Sequence, residues 1–265
     1  MEATVFVGVV IAVGELIGAD RQPNTYLLLT IPLTAAFQLL ICRRAITELW
    51  IRGSPPPGRR GLATGIAIAL AVYPFVTLIQ EIRDGGSLAL VLYDVAAIGG
   101  AGAAGYCFSQ LDRDGWRSLA RCTVIVVAIG VAVKLIAGTA EAFAHPTAVH
   151  PHADVLTGIT SLLLYVPALF LIEEVTFRGA VDSHVSGPDE PHGLVSAIYV
   201  SLLWSLWHAP IYGWKVAVAA GIVNMIPAGV VLSLYWRRSG NLAVSGTAHA
   251  TNDAIRNAML GGPPT

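Results

Sequence analysis

Long apolar stretches recur along the whole chain and are separated by short polar connectors. A stretch of about 17 to 25 mostly apolar residues can cross a bilayer as a helix. The pattern therefore predicts an all-α polytopic membrane protein, a bundle of about eight or nine transmembrane helices, of which the first is short and carries Glu15. The predicted spans are Thr4–Ala19, Thr25–Cys42, Leu62–Gln80, Leu88–Phe108, Cys122–Gly138, Leu156–Arg178, Gly193–Ile211, Lys215–Trp236 and Leu242–Leu260.

Composition supports this prediction and narrows the range of partners. Only 12% of the 265 residues are charged, whereas an ordinary soluble domain has roughly 25%. The formal net charge of −1 argues against a nucleic-acid partner and leaves the lipid bilayer as the expected environment. We expect one integral membrane domain over residues 1–265, in which residues 1–150 form helices of unassigned role and residues 156–260 form a second group of helices.

The arginines predict how the chain is oriented in the membrane. Basic residues close to span ends stay on the cytoplasmic side, and counting the predicted spans places every arginine cluster on one side. These clusters are Arg43, Arg44, Arg52, Arg59 and Arg60; Arg113, Arg117 and Arg121; Arg178; and Arg237 and Arg238. We therefore expect a multi-pass protein of the plasma membrane whose arginine clusters lie on the cytoplasmic side.

The sequence EEVTFRG places ionisable groups at the end of an apolar run. On a helix Glu174 and Arg178 stand four residues apart and can pair, whereas Glu173 is rotated by about 100° and cannot share their face. This spacing predicts one neutralised carboxylate and one that is free to act. An alternative interpretation treats these residues as interfacial charges that mark the end of the span.

Two later spans also carry polar pairs at helical spacing. Trp204 and His208 are four residues apart in LLWSLWHAP, and His249 and Asp253 are four apart in SGTAHATNDA, where Asn252 lies beside them. A single histidine of this kind could simply bond a neighbouring carbonyl group. A further cluster, His145, His150 and His152 in AHPTAVHPH, is expected to be a solvated loop, with a metal site as the alternative.

Ionisable groups within a bilayer are costly and therefore indicate function. A free carboxylate, two histidines and an Asn/Asp pair would supply a general base and hydrogen-bond donors for hydrolysis. Zinc is permitted but not required, because the spacing is not HExxH. Two other classes stay open: a proton-coupled transporter that uses Glu15, Asp94 and Lys134, and a non-catalytic membrane scaffold or immunity protein.

Taken together and in this order, the three motifs resemble the CPBP family of intramembrane endopeptidases, which includes the CAAX prenyl proteases and the bacteriocin-processing or Abi proteins. The motifs are Glu-Glu-x-x-x-Arg, aromatic-x-x-x-His and His-x-x-x-Asn/Asp. The resemblance covers residues 156–260, which it implies are the catalytic helical core, and with the predicted orientation we expect the active site to lie toward the cytoplasmic side. Trp204 stands where phenylalanine is commoner in this family, and Asp253 stands where asparagine is common.

The resemblance implies an enzyme that hydrolyses peptide bonds of a membrane-associated protein or peptide. It implies that Glu173 activates a water, and that His208 and His249 position the water or stabilise the oxyanion. Asp253 completes this set, with Glu174, Arg178, Trp204 and Asn252 in supporting roles. If the enzyme uses a zinc ion, the candidate ligands are Glu173, His208 and His249.

One geometric expectation conflicts with this reading. At about 1.5 Å per residue, Glu173 would lie ~8 Å from the end of its span at Arg178, whereas His208 would lie ~21 Å from Leu194. Straight helices would not bring these two side chains together. The seventh span is therefore expected either to tilt strongly or to begin later than Gly193.

Overall fold

A computed structural model describes residues 1–56, 59–144, 154–186 and 193–260. For residues 137–144 and 260 it describes the backbone only. The described residues form helices joined by short connectors, with no strand among them. The helices, numbered in chain order, are α1 (Glu2–Ile17), α2 (Pro23–Ile41), α3 (Arg60–Asp84), α4 (Leu88–Ser109), α5 (Arg113–Ala144), α6 (Val155–Leu169), α7 (Val175–Asp182), α8 (Leu194–Tyr212), α9 (Trp214–Ser239) and α10 (Leu242–Leu260). The prediction of an all-α membrane protein is confirmed.

Six of the described helices are long and apolar enough to cross a membrane, namely α2, α3, α4, α5, α8 and α9. Helix α6 is apolar but shorter, and α1 has only 16 residues. The outward faces of these helices carry exposed large apolar side chains, such as Ile68, Val124 and Ile222. Soluble proteins rarely expose large apolar surfaces of this kind, whereas a lipid bilayer accommodates them. The chain is therefore an integral membrane protein.

The connectors that carry most of the arginines meet at one end of the bundle, which we call the arginine-rich end. Arg52 in the α2–α3 connector donates its backbone N–H to the Gly240 carbonyl between α9 and α10. The Asn241 side chain donates to the Cys107 carbonyl near the end of α4, and Tyr106 donates to the Pro55 carbonyl. The turns α1–α2, α3–α4 and α8–α9 lie at the opposite end.

The sixth predicted span is broken rather than straight. Asp154 accepts hydrogen bonds from the N–H groups of Leu156 and Thr157 and so caps the start of α6. Pro167 has no N–H group to donate to a preceding turn, and α6 ends two residues later. The Phe170 N–H then bonds the Pro167 carbonyl three residues back, which tightens the last turn. After this turn the chain resumes as the π-helix α7.

The predicted end of this span at Arg178 was wrong. The helical chain continues through α7 and one further turn, Ser183–Val185, so Arg178 lies inside the bundle with 0% of its surface exposed. Arg178 is therefore neither an interfacial charge nor a marker of orientation. Because the element is longer and broken at Pro167, the depth of Glu173 had been counted from the wrong end.

Candidate active site

The Glu173 carboxylate lies at the centre of the polar groups contributed by the last helices. Its Oε2 atom is 3.7 Å from Nε2 of His208 and 4.0 Å from Nε2 of His249. The indole N–H of Trp204 donates to the same oxygen at 3.2 Å. The structure thus brings together the carboxylate and both histidines of the predicted set, although a count along straight helices had placed Glu173 and His208 far apart.

Each histidine is oriented through its other ring nitrogen. Nδ1 of His208 is 2.9 Å from the Trp204 carbonyl oxygen. Because a carbonyl oxygen only accepts, Nδ1 must carry the proton, and in the neutral ring Nε2 then presents a lone pair toward Glu173. The hydrogen bond from His208 to a neighbouring carbonyl, which the sequence analysis considered, is therefore present. It orients the ring so that Nε2 points toward Glu173.

His249 lies between two carboxylates. Its Nδ1 is 3.0 Å from Oε1 of Glu174, and its Nε2 is 3.5 Å from Oδ2 of Asp253. In the cationic ring both N–H groups would therefore have a carboxylate acceptor. Asp253 is itself held by Arg256, whose Nη1 is 3.3 Å from Oδ1. This arrangement can place positive charge beside Glu173 without exposing it to solvent.

Glu174 and Arg178 form the predicted pair one helical turn apart, and this prediction is confirmed. Nε of Arg178 is 3.8 Å from Oε1 of Glu174, and both side chains are almost fully buried. The guanidinium also lies over the Trp204 ring, with its carbon 5.3 Å from the ring centre. Its N–H groups have no hydrogen-bond acceptor among the described residues, so Glu174 is the principal compensation for this buried charge.

A cavity of about 280 Å³ opens onto Glu173, His208 and Asp253. About 15% of the Glu173 side chain is exposed to it, compared with 1% for the adjacent Glu174. The two neighbouring carboxylates therefore differ in environment as the helical periodicity predicts. One is held in the protein interior by an arginine, and the other can meet water and a substrate.

The cavity also uses residues that the sequence analysis missed. Tyr165 of α6, Tyr93 of α4, Tyr212 of α8 and Arg256 of α10 line it, as do residues at the start of α2. Only Arg256 had a local signal, because it follows Asp253 by three residues on the same helix. The tyrosines approach the site through tertiary packing, which no spacing in the sequence reveals.

Asn252 lies beside the site, but no direct contact joins it to Glu173 among the described residues. A Cβ atom placed on Gly130 of α5 would lie 1.8 Å from Oδ1 of Asn252. The absent side chain at Gly130 therefore allows α5 and α10 to approach closely at the depth of His249. This contact favours a supporting role for Asn252 in packing.

The proposed zinc ligands do not have the spacing of a bound zinc ion. Ligand atoms around tetrahedral zinc are about 3.3 Å apart when each lies about 2.0 Å from the metal. The distances from Glu173 to the two histidine nitrogens, 3.7 and 4.0 Å, are both longer, and no cluster suited to a metal is found within the described ranges. His145, His150 and His152 lie outside those ranges.

The residues considered for a transport pathway do not line this cavity. Glu15 accepts a hydrogen bond from the Trp214 indole, and Asp94 accepts one from Thr77 on the neighbouring helix. Neither of them, nor Lys134, lines the cavity that contains Glu173.

Comparison with known proteins agrees with the motifs. Residues 155–255 match the family described as "Type II CAAX prenyl endopeptidase Rce1-like". No curated protein matches the chain, and no solved structure matches it either. The matched range contains Glu173, His208, His249 and Asp253, and it indicates an intramembrane endopeptidase of the CAAX-protease type. The resemblance predicted from the motifs is thus confirmed: residues 155–255 are similar to the family described as Rce1-like type II CAAX prenyl endopeptidases.

Proposed function

We propose that this protein cleaves a peptide bond of a membrane-associated protein or peptide, with Glu173 as the general base. The observation that carries the proposal is the position of Glu173 Oε2, which faces Nε2 of both His208 and His249 at 3.7 and 4.0 Å. These gaps are wider than a direct hydrogen bond and leave the shared region to a water molecule. The cavity supplies access for that water.

The reaction follows from the properties of these groups. Glu173 takes a proton from water while the water oxygen bonds to the carbonyl carbon of the peptide. The lone pair of His208 Nε2 accepts a hydrogen bond from the water and positions it. His249, whose cationic form is held between Glu174 and Asp253, stabilises the oxyanion through its positive charge. The C–N bond then breaks, and Glu173 transfers its proton to the departing amine.

Trp204, Glu174 and Arg178 act on the reaction through other residues. The Trp204 indole fixes one oxygen of Glu173 and its carbonyl fixes His208. Glu174 orients His249, and Arg178 compensates the Glu174 charge. The spacing of the ligand atoms favours a mechanism in which no step depends on zinc. The plasma-membrane location stays a prediction.

The test compares new protein N-termini in membranes of cells that carry the intact chain and cells that carry Glu173→Ala at matched abundance. Glu48→Gln is the control, because Glu48 lies in the α2–α3 connector and is not part of the cavity. N-termini that require Glu173 but not Glu48 identify cleavage sites, and synthetic peptides spanning them are then tested with purified protein. An identical set in all three strains would contradict proteolysis and favour the scaffold or transporter class.

A further inference from the structure

The cavity that contains Glu173 extends to residues at the end of the bundle opposite the arginine-rich end. Its outer lining comes from Asp20 and Asn24 at the α1–α2 turn and from Tyr212 at the α8–α9 turn. Asp20 and Tyr212 are exposed, and Asn24 is half-buried. All three residues lie in connectors or helix ends of the same side, so the mouth of the cavity belongs to that side.

On the other side the site is closed by buried side chains. Phe170 is fully buried, and its carbonyl accepts a hydrogen bond from the indole of Trp50 in the arginine-rich connector. Phe177 and Trp236 are also buried, and the Glu174–Arg178 pair occupies the space behind Glu173. Aromatic rings and an ion pair therefore separate Glu173 from the arginine-rich end.

The distribution of basic residues assigns the two ends to the two sides of a membrane. Ten of the 16 lysines and arginines lie toward the arginine-rich end, in the connectors or in the parts of the helices that adjoin them: Arg43, Arg44, Arg52, Arg59, Arg60, Arg113, Arg117, Arg121, Arg237 and Arg238. Five lie toward the opposite end, namely Arg21, Arg83, Lys134, Lys215 and Arg256, and Arg178 is buried inside the bundle. Short connectors rich in arginine stay in the cytoplasm.

We infer that the active site is reached from the non-cytoplasmic side of the membrane, and that the substrate is a polypeptide segment exposed on that side. The orientation rests on the charge distribution and the position of the cavity. The identity of the bound group as a peptide rests on the proposed function. The inference reverses the sequence-based expectation of a cytoplasmic active site, which had assumed that Glu173 lies near a cytoplasmic helix end.

Cysteine labelling tests the orientation independently of catalysis. The chain carries Cys42→Ser, which removes the one half-buried thiol, while Cys107 and Cys122 are fully buried and stay in place. One variant adds Tyr212→Cys at the cavity mouth, and its matched control adds Trp116→Cys at the arginine-rich end. Tyr212 and Trp116 are 52% and 49% exposed, so the two positions differ mainly in their side of the membrane.

The probe is a sulfonated maleimide that does not cross membranes, added to intact cells from which any outer membrane has been removed. We expect Tyr212→Cys to be labelled before lysis and Trp116→Cys at least tenfold more after permeabilisation than before. Labelling in the reverse order, or equal labelling of both before lysis, would overturn the inference. Arg21→Cys, at a position 88% exposed in its side chain, replaces Tyr212→Cys if that variant does not accumulate.

The substrate part of the inference has a separate readout. Among the new N-termini that depend on Glu173, we expect those cleaved directly to lie in non-cytoplasmic segments of membrane or exported proteins. If such N-termini occur only in cytoplasmic segments, access from the outside is wrong while proteolysis stands. If no N-terminus depends on Glu173, the proposed function fails, and the labelling result still gives the side on which the cavity opens.

Discussion

Glu173 and Glu174 are adjacent and chemically identical, yet the structure predicts opposite effects when each is changed to glutamine. In Glu174→Gln the buried Arg178 loses its counter-ion at 3.8 Å. At an effective dielectric constant near 20 this attraction is worth about 4 kcal/mol, and breaking a buried pair typically costs about 3–5 kcal/mol. Both side chains are at most 1% exposed, so solvent supplies little compensation.

Glu173→Gln should leave stability within about 1 kcal/mol, because this carboxylate faces the cavity and can be replaced by an amide of the same shape. It should, however, reduce the cleavage rate by about 10² to 10⁴, the usual contribution of a general base. Unfolding in detergent micelles measures the first quantity, and hydrolysis of a mapped peptide measures the second. Adding Arg178→Met to Glu174→Gln removes the uncompensated charge and should recover most of the lost stability.

Equal loss of stability in the two single variants would refute this reasoning, because it would mean that both carboxylates are structural. Full retention of the cleavage rate in Glu173→Gln would refute the general-base assignment. Failure of Arg178→Met to recover stability would show that the cost of Glu174→Gln comes from its contact with His249 and not from the arginine. Each outcome therefore assigns the effect to a different contact.

Three further results are expected. Trp204→Phe keeps the aromatic wall but removes the N–H that holds Glu173, and peptide hydrolysis should slow by about tenfold, as for loss of one hydrogen bond to a charged group. Because the ligand spacing does not fit zinc, a chelator should leave hydrolysis unchanged, and metal analysis of the purified protein should find less than one zinc per chain. Gly100→Ala places a Cβ atom 2.0 Å from the Pro167 carbonyl oxygen, whereas Gly102→Ala meets nothing within 4 Å. Unfolding in detergent should show a loss of about 1–3 kcal/mol in the first and none in the second.

Helical periodicity predicted the local part of the site. The pairing of Glu174 with Arg178 and the separate direction of Glu173 follow from positions within two turns of one helix, where rotation per residue is nearly fixed. The same holds for His249 and Asp253, whose side chains lie 3.5 Å apart. Apolar run lengths predicted the helices for a similar reason, since the thickness of the bilayer limits them.

The tertiary part of the site could not be predicted in the same way. The approach of His208 to Glu173 depends on the break at Pro167 and on the continuation of helical structure to Val185, and a count along straight helices missed both. The contribution of Tyr93 to the cavity depends on how α4 packs against α6. That contact is controlled by Gly100, which allows the Pro167 carbonyl to approach. Such contacts carry no periodic signal in the sequence.

The position of the cavity separates the chemistry of the site from its choice of substrate. The groups proposed to act on water lie within residues 155–255, the range that matches the Rce1-like family. Two of the three residues at the mouth, Asp20 and Asn24 at the α1–α2 turn, lie outside this range, and so does Tyr93 of α4, a buried residue of the cavity wall. A substrate must pass these side chains before it reaches Glu173. Through Asp20 and Asn24, the first 150 residues, which the motifs leave without a role, share with Tyr212 the entrance that we propose for the substrate.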